Sequence, residues 1–221
     1  MIFDMYTREY GVCSFIVGGV RKQKAKLSLS LFQLMSWLEV VAYLKSPKDL
    51  NRVKEARLLL HYNSMPFDLS KRSVCLFMTE IIQKTIRGHE ANEALFDFIR
   101  DTFEFVDRTS HPVSNVHVVF LVHFSRFLGF MPIGSWTQAK PFLDMMHGTF
   151  VTHAHPLYTL DESTSRQLSA CMPCSIENSH ELDLSKKVRL KLLEDLIAFY
   201  RLHLEKLPEI RTHKILGDVF N

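Results

Sequence analysis

The amino-acid sequence predicts an α+β protein, with a small and mostly antiparallel β unit over residues 1–62 and an all-α domain over residues 63–221. Three observations carry this. Apolar residues alternate with polar ones up to about Tyr62 and recur at helical spacing after it. Turn-forming residues punctuate the first part at short intervals. The charge is also divided: residues 1–62 hold ten Lys and Arg against five Asp and Glu, a balance of +5, while the whole chain is only +3, which leaves −2 for the rest.

Residues 2–6 read as a strand and residues 12–20 as its partner, joined by a turn of three to five residues ending at Gly11. Residues 31–44 read as a longer extended run. There Phe32, Leu34, Leu38, Val40, Ala42 and Leu44 share one parity, while Trp37, Val41 and Tyr43 share the other with Gln33 and Glu39. Ser46, Pro47 and Asp49 mark a turn, and residues 50–58 fit either a further strand or the start of a helix.

After Tyr62 the spacing predicts helices over 69–87, capped by Asp68 or Ser70 and stopped by Gly88, and over 93–108, with Leu95, Phe96, Ile99, Phe103 and Val106 inward. A third, over 116–128, is apolar nearly all round and belongs at the centre of the helical domain. An irregular insert at about 129–160, broken by Pro132, Gly134, Pro141, Gly148 and Pro156, leaves room for a short hairpin over 142–151. Helices over 161–170, 185–204 and 212–220 complete the chain.

At 221 residues the chain is long enough to bury a proper core, and 47% hydrophobic with 23% charged residues is ordinary for a globular protein. No stretch approaches the roughly 18 uninterrupted apolar residues of a membrane span. The first residues lack the pattern of a secretory signal, so a cytoplasmic location is the expectation. Cys13, Cys75, Cys171 and Cys174 are too few and too scattered for a disulfide framework. Cys171 and Cys174 with His153 and His155, and His147 nearby, are the residues a zinc ion would need, but small apolar cysteines and a surface histidine run explain them as well, and no metal or cofactor is expected. Phosphate-binding glycine loops, HExxH and GxSxG are absent from the sequence, and no catalytic residue is expected.

The residues that point to a ligand are cations. Arg21, Lys22, Lys24 and Lys26 follow Gly18 and Gly19 and suit a basic loop tracking a phosphate backbone, with Arg8, Lys45, Lys48, Arg52 and Lys54 in support. Trp37 and Tyr43 are candidate platforms for stacked bases, or else ordinary packing residues. A second basic patch, Lys186, Lys187, Arg189 and Lys191, opens the long final helix, where positive charge opposes the helix dipole.

The order of YTREYG, CSFIVGGVRKQKAKL, LEVVAYLKSPKDLNRVKEARLL, KRSVCLFMTEIIQKTIRGHEANEALFDFI and HFSRFLGFMP resembles the RecO family of bacterial recombination mediators, in the Bacteroidetes-type version without a four-cysteine zinc site. The resemblance implies an oligonucleotide-binding (OB) barrel before the helical domain. It also implies binding of single- and double-stranded DNA, annealing of complementary strands, contact with RecR and with the C-terminal tail of the single-stranded-DNA-binding protein, and indirect help to RecA, whether or not RecF takes part. Such a chain is not an enzyme. The family pattern has about twenty further residues before Ile2 that supply a first barrel strand, so either the start is truncated or misassigned or this barrel lacks one of its five strands. The rival reading is a helical protein-interaction adaptor that does not bind DNA.

Overall fold

The computed structural model describes residues 1–19 and 27–220. Among them an N-terminal sheet is followed by helices, the α+β arrangement expected. By compactness the described residues fall into two units, one within residues 1–63 with 86–101, and the other of residues 64–85 with 102–220.

In the first unit, β1 (Ile2–Thr7) and β2 (Gly11–Ile16) form the expected hairpin, with Ile2 opposite Ile16 and Thr7 opposite Gly11. Its three-residue turn closes at Gly11, whose φ of 63° and whose approach to the Glu90 backbone exclude a side chain. β3 (Leu38–Tyr43) and β4 (Leu50–Leu58) form a second antiparallel hairpin. The two hairpins join through β2 and β4, which run parallel with Ser14, Phe15 and Ile16 beside Leu50, Asn51 and Arg52, and the sheet order is β1-β2-β4-β3. Among the described residues the sheet stays open, with β1 and β3 as its edges, and no closed barrel is formed.

The extended run expected over 31–44 is shorter than its alternation suggested. Residues Leu29–Phe32 form a 3-10 turn in which Ser28 Oγ accepts from Ser30 N, and Met35 adopts a φ of 68°. The turn lets Phe32 fold under the sheet, against the buried cluster of Cys13, Phe15, Val17 and Val53. β2 likewise ends at Ile16, short of the strand expected over 12–20, whose last residue lies outside the described ones.

The first nine residues of α2 (Glu93–Arg108) belong with this sheet. Phe96 meets Trp37 edge-on at 5.4 Å and lies 6.0 Å from Tyr6, while Arg8 pairs with Glu93 at 3.1 Å and Asp97 at 3.0 Å.

The second unit is built on α3 (Val116–Phe127), buried on nearly every side, with α1 (Leu69–Thr85), α4 (Glu162–Cys171), α5 (Lys186–His203) and the short α6 (His213–Val219). Tyr200 on α5 donates its hydroxyl proton to the Leu121 carbonyl at 2.7 Å, fixing the register of α5 against α3. The hairpin expected over 142–151 is present as β5 (Phe142–Asp144) and β6 (Thr149–Val151). Glu80 receives the backbone N–H of Thr212 at 2.8 Å where α6 begins. Burial there opposes its ionisation, but Lys84, Thr212 and Arg211 together hold its pKa at about 2. No described helix is long and apolar enough to cross a membrane.

Candidate nucleic-acid interface

Alternation along the strands gives the sheet two unlike faces. Phe3, Met5, Phe15, Val40 and Val53 point into the core. On the other face the register sets Ile2 opposite Ile16, Ile16 beside Arg52, and Arg52 opposite Tyr43, one row across all four strands. Tyr43 is 62% exposed and Ile2 64%. Val41 and Leu50, in neighbouring rows, are exposed as well.

β4 carries one residue more than β3 needs: Val41 pairs with Glu55 and Ala42 with Val53, so Lys54 sits in a bulge. The bulge keeps Arg52 and Lys54 on the exposed side and then brings Glu55 and Arg57 to it. Arg57 is hydrogen-bonded to Glu39, which lowers the carboxyl's pKa, and Lys54 lies 3.6 Å from Glu55. Lys45, Lys48 and Arg52 are exposed, with no carboxylate within ion-pair distance among the described residues.

The loop that bears Lys45 and Lys48 is held from below. Asn51 is fully buried, accepts from Lys45 N at 2.9 Å, and donates to the carbonyls of Ser46 at 2.9 Å and Asp49 at 2.8 Å. One amide thus satisfies three backbone groups of a single turn. Sequence reading passed over Asn51, although a lone amide at a core parity between Leu50 and Val53, just after a Ser-Pro-Lys-Asp turn, is a visible signal of such a clamp. Asn51→Ala leaves those three groups unpaired and is expected to cost about 2 kcal/mol; urea denaturation measures the loss, and faster tryptic cleavage after Lys45 or Lys48 reports the loosened loop.

The other expected site residues divide. Arg21, Lys22, Lys24 and Lys26 lie outside the described residues. Arg8 is not a free cation, because Glu93 and Asp97 hold it. Trp37 is no open platform either: its indole N–H donates to Tyr62 Oη at 2.7 Å and its ring packs on Phe96. In the second patch, Lys186 and Lys187 are exposed. Lys191 pairs with Asp195 at 2.6 Å. Arg189 is only 9% exposed, donates to Asn115 Oδ1 at 3.3 Å and Leu184 O at 3.1 Å, and lies over the Phe220 ring, so its task is packing.

Among the described residues no three His, Cys, Asp or Glu side chains gather in a way that could hold a metal ion. Cys171 is buried, which pushes its thiol up to about 12, and Cys174 donates to the Ser175 carbonyl. His123 meets the Cys174 carbonyl at 2.7 Å.

Comparison with known proteins supplies the remaining context. The family described as Recombination protein O N terminal matches residues 1–62, and Recombination protein O C terminal matches residues 66–137. The DNA repair protein RecO of Phocaeicola vulgatus is 32% identical over 222 residues, an alignment that takes in all of this chain and 92% of the relative. The proteins of the same name from Bacteroides fragilis and Porphyromonas gingivalis are 30% and 28% identical, again across all of this chain and 92% of each relative. With its two consecutive family segments and full-length likeness, the chain belongs to the RecO family and has a role in DNA repair and recombination.

Proposed function

We propose that the chain binds and anneals single-stranded DNA and helps RecA onto DNA coated by the single-stranded-DNA-binding protein, without turning over a covalent substrate. The observation that carries this reading is the exposed sheet face with its adjoining loop, where Arg52, Lys45 and Lys48 have no carboxylate within ion-pair distance among the described residues and Tyr43 is exposed. Cations in this setting give sequence-independent affinity by releasing the counterions of a phosphate backbone.

The strand pairing supports an incomplete OB barrel. Two antiparallel hairpins joined by a parallel pair leave two edges, β1 and β3, and one further strand lying along both would close the sheet into five strands. RecR and the C-terminal tail of the single-stranded-DNA-binding protein are the protein partners of this reading, with the exposed Lys187 at the start of α5 a cation for an acidic tail. Double-stranded DNA binds through the same phosphates, and the protein acts in the cytoplasm, at the nucleoid.

The test is fluorescence anisotropy with a labelled single-stranded oligonucleotide across a salt series. Reversing Lys45, Lys48 and Arg52 to Glu together is expected to weaken binding about tenfold at low salt and to flatten the salt dependence. Reversal of Lys22, Lys24 and Lys26 examines the basic loop in the same assay. No binding by the parent protein even at low salt would leave the adaptor reading in place.

A further inference from the structure

We infer that Tyr43 is the residue that makes this surface select unpaired bases, with Arg52 beside it taking the phosphate and Asn51 holding the neighbouring cations in place. The inference rests on the DNA-binding reading above and assigns a specificity that the phosphate contacts alone cannot supply.

The argument starts from position. Tyr43 ends β3 directly opposite Arg52, which is flanked on its other side by Ile16. The row therefore runs from a ring, through a cation, to an apolar shoulder formed by Ile16 and Ile2. Residues on adjacent strands lie about 5 Å apart, so a phosphate on Arg52 places its own base within reach of Tyr43.

Charge at this row favours a polyanion, since two of the sheet's acids, Glu39 and Glu55, already face cations, while Asp4 and the exposed Asp49 keep their charge beyond the row. Glu39 is hydrogen-bonded to Arg57, Glu55 lies 3.6 Å from Lys54, and Asp4 accepts from Ser14 Oγ at 2.6 Å. The loop cations arrive on a backbone that Asn51 has already fixed, so little freedom is lost when they meet a ligand.

A duplex keeps its bases stacked inside and offers this face only phosphates. A single strand offers base faces too, and a ring that is 62% exposed on a pleated surface is placed to receive one. Phosphate contacts bind both forms; the ring binds one.

The experiment uses the full chain with a labelled thymidine oligonucleotide and a blunt hairpin duplex of matched charge. Tyr43→Ala is expected to lose about tenfold in affinity for the single strand, the scale of one base-aromatic stack, and less than about twofold for the duplex. Tyr43→Phe, which keeps the ring, is expected to match the parent on both, and Arg52→Ala is expected to weaken both. An equal loss on the two ligands, or full single-strand affinity without the ring, overturns the assignment of Tyr43 while the DNA-binding reading survives. A parent protein that binds neither ligand overturns both. An unchanged thermal midpoint for Tyr43→Ala excludes misfolding as the cause.

Discussion

Lys71→Met is expected to cost about 3 kcal/mol, a large share of the roughly 5–15 kcal/mol by which folded domains are stable. Lys71 is 8% exposed and its ammonium uses its three donors on Ser64 Oγ at 2.8 Å, the Asp107 carbonyl at 2.9 Å and the Thr109 carbonyl at 2.6 Å. Asp107, itself 4% exposed, turns its carboxylate to the backbone N–H groups of Ser64 and Met65 at 2.9 and 2.8 Å. One cation thus ties the entry of α1 to the end of α2. Methionine keeps the length of the stem but removes all three donors, leaving two carbonyls and a neighbouring carboxylate uncompensated in a dry setting. Lys71→Arg is expected to rescue little, because a planar guanidinium cannot converge on the same three acceptors. A urea midpoint that does not move in Lys71→Met would show that these bonds contribute nothing net.

A second large effect is expected in acid. His117 on α3 is 1% exposed, lies edge-on to Phe77 at 5.9 Å and parallel to Phe220 at 6.2 Å, and its Nδ1 has no hydrogen-bond partner. Burial, and next the Arg189 charge, hold its pKa at about 3, against an ordinary value of 6.5. The folded protein therefore keeps this ring neutral while the unfolded chain takes up a proton from pH 6.5 downward. Stability from this group is complete above pH 6.5 and falls by about 1.4 kcal/mol per pH unit as the pH drops toward 3. His117→Phe keeps an aromatic ring in the same slot and is expected to remove one proton's worth of slope between pH 6.5 and 4.5, a window above the range in which most carboxylates titrate. Chemical denaturation at several pH values gives the slope directly, and identical slopes in the two proteins would place the acid sensitivity elsewhere.

How much could be read from the sequence depended on whether the deciding partner was local. The helix over 93–108 was legible to the residue because Leu95, Ile99, Phe103 and Val106 repeat at helical spacing and Asp97, Asp101 and Glu104 lie on the other side. The first hairpin was legible because Gly11 ends its turn. Residues 31–44 misled because alternation persists through a stretch that folds back at Met35, where no glycine announces the positive φ. The candidate site shows the same rule more sharply. Lys45, Lys48 and Arg52 could be named from charge, since cations on a solvent-facing loop and strand face need no distant partner. Arg8 and Arg189 could not be told from them, because the groups that hold them, Asp97 and Asn115, lie 89 and 74 residues away in the chain.

The parallel seam in the sheet also sets the order in which it can form. Each hairpin closes over a short loop, but Ser14 to Ile16 must find Leu50 to Arg52, some three dozen residues along. Closing that long loop loses more entropy and rewards only three register pairs, so the two hairpins are ready first and their docking is the slow event. Phe15 and Val53, which meet in the cluster beneath that seam, are the side chains whose truncation will slow refolding rather than merely hasten unfolding.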